Sequence, residues 1–458
     1  MTASASLNAP LPRPPLVPGL PLIGNLPALL RDPLVFLQQA YREHGPVFRF
    51  RAGHRGYVVL AGPEANRFIA GEGKQLFCSD QFWGKATEYM QCPHMLIAVD
   101  GEMHQHQRAL MQPLLGPNAF RDRADDLAAP VLELMQAHRR DRNVAWGPLA
   151  RQLVSNQISN ALQGQKIPYR TVQQMIHYFG SVMNVYGLRK WPKAMLYTPT
   201  FLRNKRIAIR QMDATLAQAR QRSAEERARH PLYLDHILPA LEAHPEWYSE
   251  GEMRSHALLP FIAALDTVAA TLGFILYRLL SDRALYQRIQ HEVDQHFADG
   301  IPDIRILRQM EDLNGLVKEA LRLHPTAFGL TRNATADFDF GGFRIHKGED
   351  ILVFTTADHT NPAYFPAPDT FDIERYRAPR NEQRQPAFAP FGKGPHNCLG
   401  AGLAEILLPL DVGLMLYYLE ITPACHLDKV KTVFNPAPVL SDHFRVNLLQ
   451  RRPLPTSN

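Results

Sequence analysis

Apolar and polar positions along this chain follow a helical period over most of its length. A short helical pattern, Pro33–His44, leads into two alternating runs, Val47–Arg51 and Tyr57–Leu60, with Gly53 and Gly56 between them. Alternation of period two around turn residues predicts a β-hairpin over residues 46–62. From about Gly62 to about Arg322 the spacing is helical, punctuated by Pro and Gly. Its longest apolar stretch predicts one helix over residues 252–281. Strand patterns return at Phe338–Phe343 and Asp350–Phe354. The Pro- and Arg-rich run Asn361–Pro395 predicts irregular chain before one last helix begins near Ala401. No repeat, low-complexity run or linker interrupts the pattern. The expectation is a single large domain over 1–458, mainly α with small β-sheets at its edges.

The first 45 residues need separate reading. Pro14–Leu30 carries no charge and has a membrane anchor's composition, but Pro14, Pro15, Pro18, Pro21 and Pro27 interrupt it. A spanning helix needs about 20 mostly apolar residues without such breaks. A signal peptide would need a basic start and an unbroken apolar core. Residues 1–45 are therefore expected to form a proline-rich surface segment and a first helix, in a cytoplasmic, monomeric protein with no transmembrane anchor. The chain has 458 residues, 45% of them hydrophobic, and a net charge of +6. Its Lys and Arg read as spread along the sequence, which argues against a nucleic-acid partner. The four cysteines, Cys78, Cys92, Cys398 and Cys425, form no CxxC pair, which argues against structural zinc or a disulfide scaffold.

One of those cysteines stands apart. Residues 391–400 read Phe-Gly-Lys-Gly-Pro-His-Asn-Cys-Leu-Gly, directly before the last helix. A thiolate at a helix N-terminus meets free N–H groups and the positive end of the helix dipole, which favours its ionised form. Gly394 and Gly400 allow backbone to approach a flat ligand more closely than residues with a Cβ. Such a setting suits an anionic sulfur ligand on iron. A buried inert cysteine is the bland alternative, and zinc held by His396 and Cys398 lacks its other ligands.

Phe391, Gly394, Cys398 and Gly400 reproduce the spacing Phe-x-x-Gly-x-x-x-Cys-x-Gly, and here the chain resembles the cytochrome P450 family, as a soluble bacterial-type member. The resemblance implies the cytochrome P450 fold, haem b (iron protoporphyrin IX) as cofactor, and Cys398 as its axial iron ligand. It also gives weight to weaker signals. Glu319 and Arg322 stand at i, i+3 on one helix face, a spacing shared by Glu64/Arg67, Glu226/Arg229 and Glu374/Arg377 and uninformative alone. Their position before the cysteine loop matches the family's Glu-x-x-Arg pair. Phe371–Tyr376 resembles the segment that supplies a third member, making Arg375 the candidate; Ile373 and Tyr376 depart from the commoner Pro-x-Arg-Phe form. The role implied is structural.

Within the long helix, Ala263-Ala-Leu-Asp-Thr-Val268 places Asp266 beside Thr267. An acid in an apolar helix is costly unless paired or functional. The family implies that this acid–alcohol pair serves dioxygen activation and proton relay. The bland reading is a solvated Asp with Thr bonded back to the preceding turn. Ala264 stands where the family often has Gly. Haem propionates require cationic or donor partners, and His104, Arg108, Arg332 and His396 match the family's positions for them; His106 falls on another helix face. Pro409 departs from the regular pattern of the last helix.

The resemblance implies a haem-thiolate monooxygenase that oxidises a lipophilic small molecule of terpenoid, steroid or fatty-acyl type. Electrons would come from NAD(P)H indirectly, through a separate ferredoxin or flavodoxin with its reductase. Arg377, Arg380, Arg384 and Lys393 are candidates for the docking face. Met90, Met183, Tyr186 and Phe328 are among the candidate pocket walls. Two rivals stay open: a haem-thiolate peroxygenase or isomerase that needs no reductase, and a non-catalytic haem sensor.

Overall fold

The computed structural model describes residues 11–434 and 437–455. The chain divides into two compact units, one comprising residues up to Phe82 with Ala327–Pro368 and Arg384–Asn397, the other Trp83–Thr326, Asp369–Gln383 and the chain from Cys398 onward.

The first unit is built on a sheet. Helix α1 (Pro33–His44) starts at Asp32, whose carboxylate accepts from the Val35 N–H, and has proline in its first turn where no N–H is needed. Strands β1 (Val47–Ala52) and β2 (Arg55–Ala61) form the expected antiparallel hairpin. Helix α2 (Gly62–Ala70) follows directly. Strands β3 (Phe77–Cys78), β4 (Leu330–Ala334) and β5 (Asp350–Phe354) complete a five-stranded sheet in the order β1-β2-β5-β4-β3. The β2–β5 pairing is parallel and joins segments almost three hundred residues apart in sequence, which no local pattern announces. Val47, Val58, Leu60, Ile351 and Val353 form its packed face with Phe68 and Phe77. The proline-rich segment runs beside β1, with Val17 N–H donating to the Arg49 carbonyl at 2.8 Å and Arg49 N–H to that of Pro15 at 2.7 Å.

The second unit is helical. Its elements include α3 (Gly101–Met111), α4 (Trp146–Gln163), α5 (Tyr169–Val182), α6 (Pro199–Gln221), α7 (Tyr233–Glu242), α8 (Glu250–Ser281), α9 (Glu311–Leu323) and α10 (Ala401–Tyr418). Helix α8 begins two residues before the predicted start because Ser249 and Glu252 form a reciprocal capping box. Both α8 and α10 are long and apolar enough to cross a membrane, yet 67% and 72% of their most apolar windows are buried in protein, as in core helices. Pro260 lies inside α8, and Pro409 inside α10 without ending it. The last helix is not the last element: Leu419–Pro423 and Arg445–Gln450 form a three-stranded sheet with Val144–Ala145. The expected strand at Phe338–Phe343 is instead a hairpin of Phe338–Phe340 and Phe343–Ile345.

Candidate active site

Two glycines shape the cysteine loop. Gly392 and Gly394 adopt φ values of +70° and +85°, which L side chains rarely tolerate, and a Cβ on Gly394 would stand 2.9 Å from the Ile69 carbonyl oxygen. Gly394 is thus required by its own turn and by α2 rather than by close approach of a ligand alone. Gly400 differs: apart from its two chain neighbours, no described atom lies within 4 Å of where its Cβ would stand. It is the N-cap of α10.

Cys398 precedes α10 and is the exposed member of the four cysteines. Its surface is open, yet the protein packed around it strips enough water to push the thiol up; the Gly400 N–H and the Arg108 charge act the other way and favour the thiolate. Cys92, by contrast, is 1% exposed and burial pushes its thiol up to about 12, the setting of an inert core cysteine. The Cys398 sulfur thus has an accessible face backed by a donor and a cation.

That cation sits on α3, one turn beyond the buried His104. Burial lowers the Arg108 pKa and Cys398 raises it, so the two groups sense one another. His106 turns elsewhere, into a ring cluster with His244, Trp247 and Tyr248. In the first unit, Arg332 on β4 is 7% exposed and donates to the Thr331 carbonyl at 2.6 Å. His396 Nε2 lies 3.4 Å from Ser79 Oγ.

On α8, Ala263 is exposed and Thr267 half-buried, one turn apart on a helix otherwise deep in protein. Thr267 Oγ1 donates to the Ala263 carbonyl at 2.9 Å, a bond back along its own helix. Asp266 accepts from Arg151 Nε of α4 at 2.8 Å. The cost of an acid in this helix is therefore met by a partner that sequence spacing could not reveal, 115 residues away. Arg151 is the residue the sequence reading missed here, and its only signal was charge.

The Glu319 cluster is the most completely determined site. Glu319, Arg322 and Arg375 are 0% exposed. Arg322 donates Nε and Nη2 to the two Glu319 oxygens at 2.8 and 2.7 Å, a bidentate pair. Arg375 Nε adds a third contact at 3.1 Å, the Asp372 N–H a fourth at 3.0 Å, and the Tyr376 hydroxyl a fifth at 2.6 Å. Arg375 Nη1 reaches Glu382 at 3.1 Å. The departure at Tyr376 is thereby explained, because its hydroxyl serves the buried carboxylate. Gly315 lets α9 approach this turn: a Cβ there would meet the Ile373 carbonyl at 2.9 Å.

These sites stand in a chain whose residues 14–442 match the sequence profile described as Cytochrome P450. This chain belongs to the cytochrome P450 family. Cytochrome P450 120 of Synechocystis is 25% identical over 98% of this chain and 99% of its own length. A cyclooctat-9-en-7-ol 5-monooxygenase of Streptomyces melanosporofaciens is 28% identical over 87% of this chain and 88% of its own. A sterol 14alpha-demethylase of Mycolicibacterium vanbaalenii is 24% identical over 86% and 88%. The solved structure of retinoic acid-bound cyanobacterial CYP120A1 superposes with a TM-score of 0.80 at 23% identity, covering 96% of this chain and all of that one, and shares its fold.

As a cytochrome P450, the protein is a haem monooxygenase, and the residues present fit the cofactor. An accessible soft donor at a helix N-terminus, an N–H and a guanidinium favouring its anionic form, and open space beside Gly400 are what a thiolate-ligated planar group needs. When bound, haem b supplies the reductive activation of dioxygen with electrons drawn from NAD(P)H through a partner.

Proposed function

We propose that Cys398 is the axial ligand, with His104 and Arg108 as partners for the propionates and Arg332 and His396 assigned the same chemical role. The observation that supports this most strongly is the open Cys398 sulfur backed by the Gly400 N–H and Arg108. Glu319, Arg322 and Arg375 are assigned a structural role, tying α9 to the Asp372–Glu382 turn. Asp266 and Thr267 are assigned to proton handling at the exposed stretch of α8. Loss of the red-shifted Soret band of the reduced carbon monoxide complex in Cys398→Ala, with the band retained in Cys78→Ala, Cys92→Ala and Cys425→Ala, tests the ligand. A band that survives Cys398→Ala refutes it.

The substrate we propose is a lipophilic small molecule of terpenoid, steroid or fatty-acyl type. Support comes from the relatives named for action on cyclooctat-9-en-7-ol and on a sterol. Within the second unit, a cavity of about 160 Å³ is lined by Tyr89, Met90, Tyr178, Met212 and Leu258 together with the polar Lys205, Arg254 and Ser255, so its wall is mixed and does not by itself select a lipophilic ligand. Substrate-induced spin-state shifts across a lipophilic library are the direct test. Electrons are proposed to come from a ferredoxin or flavodoxin with its reductase, and the protein to work as a cytoplasmic monomer. The docking face needs revision. Arg377 is paired with Asp312 and Glu374, and Arg380 with Asp372 and Glu382, so neither offers a spare charge. Arg384 is exposed and Lys393 half-buried, with no carboxylate partner among the described residues, and these two carry the proposal. First-electron transfer that is unchanged in Arg384→Glu/Lys393→Glu would move the partner elsewhere.

A second reading has a specific observation behind it. The Thr267 hydroxyl is turned back to its own helix and Asp266 is tied to Arg151, an arrangement that a peroxide-driven enzyme would tolerate. Product formed against NAD(P)H consumed, in wild type and Thr267→Ala, separates the two. Raised peroxide release with lower product supports the monooxygenase assignment of Thr267. Equal coupling, together with turnover on peroxide alone, supports the peroxygenase.

A further inference from the structure

The cavity within the helical unit is lined by cations without an acid. Its wall carries Lys205 from α6 and Arg254 from α8, and no Asp or Glu among the described residues. The two cations are differently placed. Arg254 donates Nε to Asp213, outside the lining, at 2.5 Å, while its terminal nitrogens make no hydrogen bond among the described residues. Lys205 is half-buried and has no carboxylate partner among them; its ammonium lies over the Tyr89 ring, 4.7 Å from the centroid. A cation drawn partly out of water without an anion is costly, and here only the face of an aromatic ring offsets that cost.

The rest of the wall is neutral and closely built. Tyr178 of α5, Met212 of α6 and Leu258 of α8 are buried and supply its apolar part. Gln91 follows the helix Asp80–Tyr89 in a left-handed conformation, φ +62°. The chain there approaches α8 so closely that a Cβ on Gly251 would stand 1.6 Å from the Gln91 carbonyl oxygen, so position 251 tolerates no side chain. Burial pushes the Cys92 thiol up to about 12 and raises the Tyr178 hydroxyl, so both stay protonated at neutral pH and remain donors. The space of about 160 Å³ is similar to that of an apolar cavity of about 150 Å³ that admits benzene.

We propose that this cavity binds the carboxylate end of an apolar acid, with the carboxylate between Lys205 and Arg254 and a one-ring or short acyl body against Tyr178, Met212 and Leu258. Charge and shape together select this class. A neutral lipid would leave Lys205 unpaired, and an inorganic anion would leave the apolar wall in contact with water. Leu258 and Thr267 are nine residues apart on α8, about 13 Å along its axis. A short acid held here therefore stays clear of Thr267, and only a long-chain acid spans the interval. The site stands whether or not Thr267 and Cys398 have the roles assigned to them above.

The test is titration calorimetry on haem-loaded full-length protein, with phenylbutanoate and the matching alcohol, phenylbutanol, as probes. The acid is expected to bind, and the alcohol to bind at least about tenfold more weakly. Lys205→Met should weaken the acid at least about tenfold, and Lys205→Arg should retain most of the affinity. Arg206→Met removes an exposed neighbouring cation outside the lining and should bind as wild type. Ile209→Trp fills the cavity from its half-buried rim and should abolish binding, with the reduced carbon monoxide spectrum unchanged. No binding of the acid overturns the proposal, as does equal affinity for acid and alcohol, or acid binding that survives Lys205→Met or Ile209→Trp. A second arm identifies the source of the acid. A spin-state shift with hexadecanoate that is lost in Lys205→Met marks the acid as substrate; binding of both acids without a spin-state shift marks it as an effector. Calorimetry reads binding without turnover, so failure here leaves the Cys398 assignment standing, and failure of that assignment leaves this site standing.

Discussion

Two charged sites in the helical unit make opposite use of the same chemistry. At Glu319, the carboxylate is fully buried and accepts five hydrogen bonds from Arg322, Arg375, Asp372 and Tyr376. At Asp266, the carboxylate is 37% exposed and one arginine, itself 30% exposed, provides its ion pair. A buried charge survives only when every lone pair is occupied, so the first site can hold just one arrangement. The second is close enough to water to exchange partners at little cost. Full satisfaction builds scaffold; partial satisfaction on an accessible helix face leaves a carboxylate in reach of water.

The comparison breaks most visibly at its buried end. Glu319→Ala leaves two guanidinium groups without their central anion and should cost about 3–5 kcal/mol, read as a large drop in melting temperature and a lower haem-loaded fraction. Tyr376→Phe removes one hydroxyl from the same carboxylate and should cost about 1.5–3 kcal/mol, with the reduced carbon monoxide spectrum of the folded fraction unchanged. A neutral outcome for Tyr376→Phe would mean that the cluster is held by its arginines and the Asp372 N–H without the hydroxyl.

Two further buried groups sharpen the contrast, because they are managed by staying neutral. His256 is 3% exposed, is partnered by the Tyr233 hydroxyl at 2.9 Å, and is held down to about 4 by burial. The unfolded chain takes up a proton near pH 6.5 and the fold does not, so stability is full above pH 6.5 and falls as pH drops toward 4. The loss is about 3 kcal/mol, and His256→Gln should flatten that part of the pH–stability curve. Asp411 in α10 is 0% exposed, accepts from Gln157 Nε2 at 2.6 Å, and is held well above the usual carboxylate range by burial. Its sign is opposite. The folded state keeps a proton that the unfolded state releases above its ordinary pKa, so stability falls as pH rises from there toward the folded value. Asp411→Asn should therefore raise the melting temperature at pH 8 and leave it nearly unchanged at pH 3. The smallest effect belongs to the exposed end. Arg151→Ala should cost no more than about 1 kcal/mol while altering the solvent isotope effect on turnover; a large stability loss would erase the distinction between the two sites.

Much of this site was legible because its signals are local. Cys398 could be singled out from ten consecutive residues, since loop glycines and a helix N-terminus act within one or two turns. Glu319 and Arg322 are neighbours on one helix face by spacing alone. Tyr376 looked like a departure because its partner carboxylate lies 57 residues earlier. Arg151 was not singled out at all, nor were the C-terminal strands, of which Arg445–Gln450 pairs both with Val144–Ala145 early in the chain and with the nearby Leu419–Pro423.

The sequence by itself determined the helical class, the hairpin at 46–62, the identity of the candidate sulfur ligand and the family, because each depends on periodicity or on contiguous residues. Tertiary structure alone decided which charges are spent and which are available. It paired Asp266 with Arg151, neutralised Arg377 and Arg380, and closed the shell around Glu319. An ion pair depends on distance in space, falling with separation and with water between the charges, and folding brings together residues that sequence separates by a hundred positions or more.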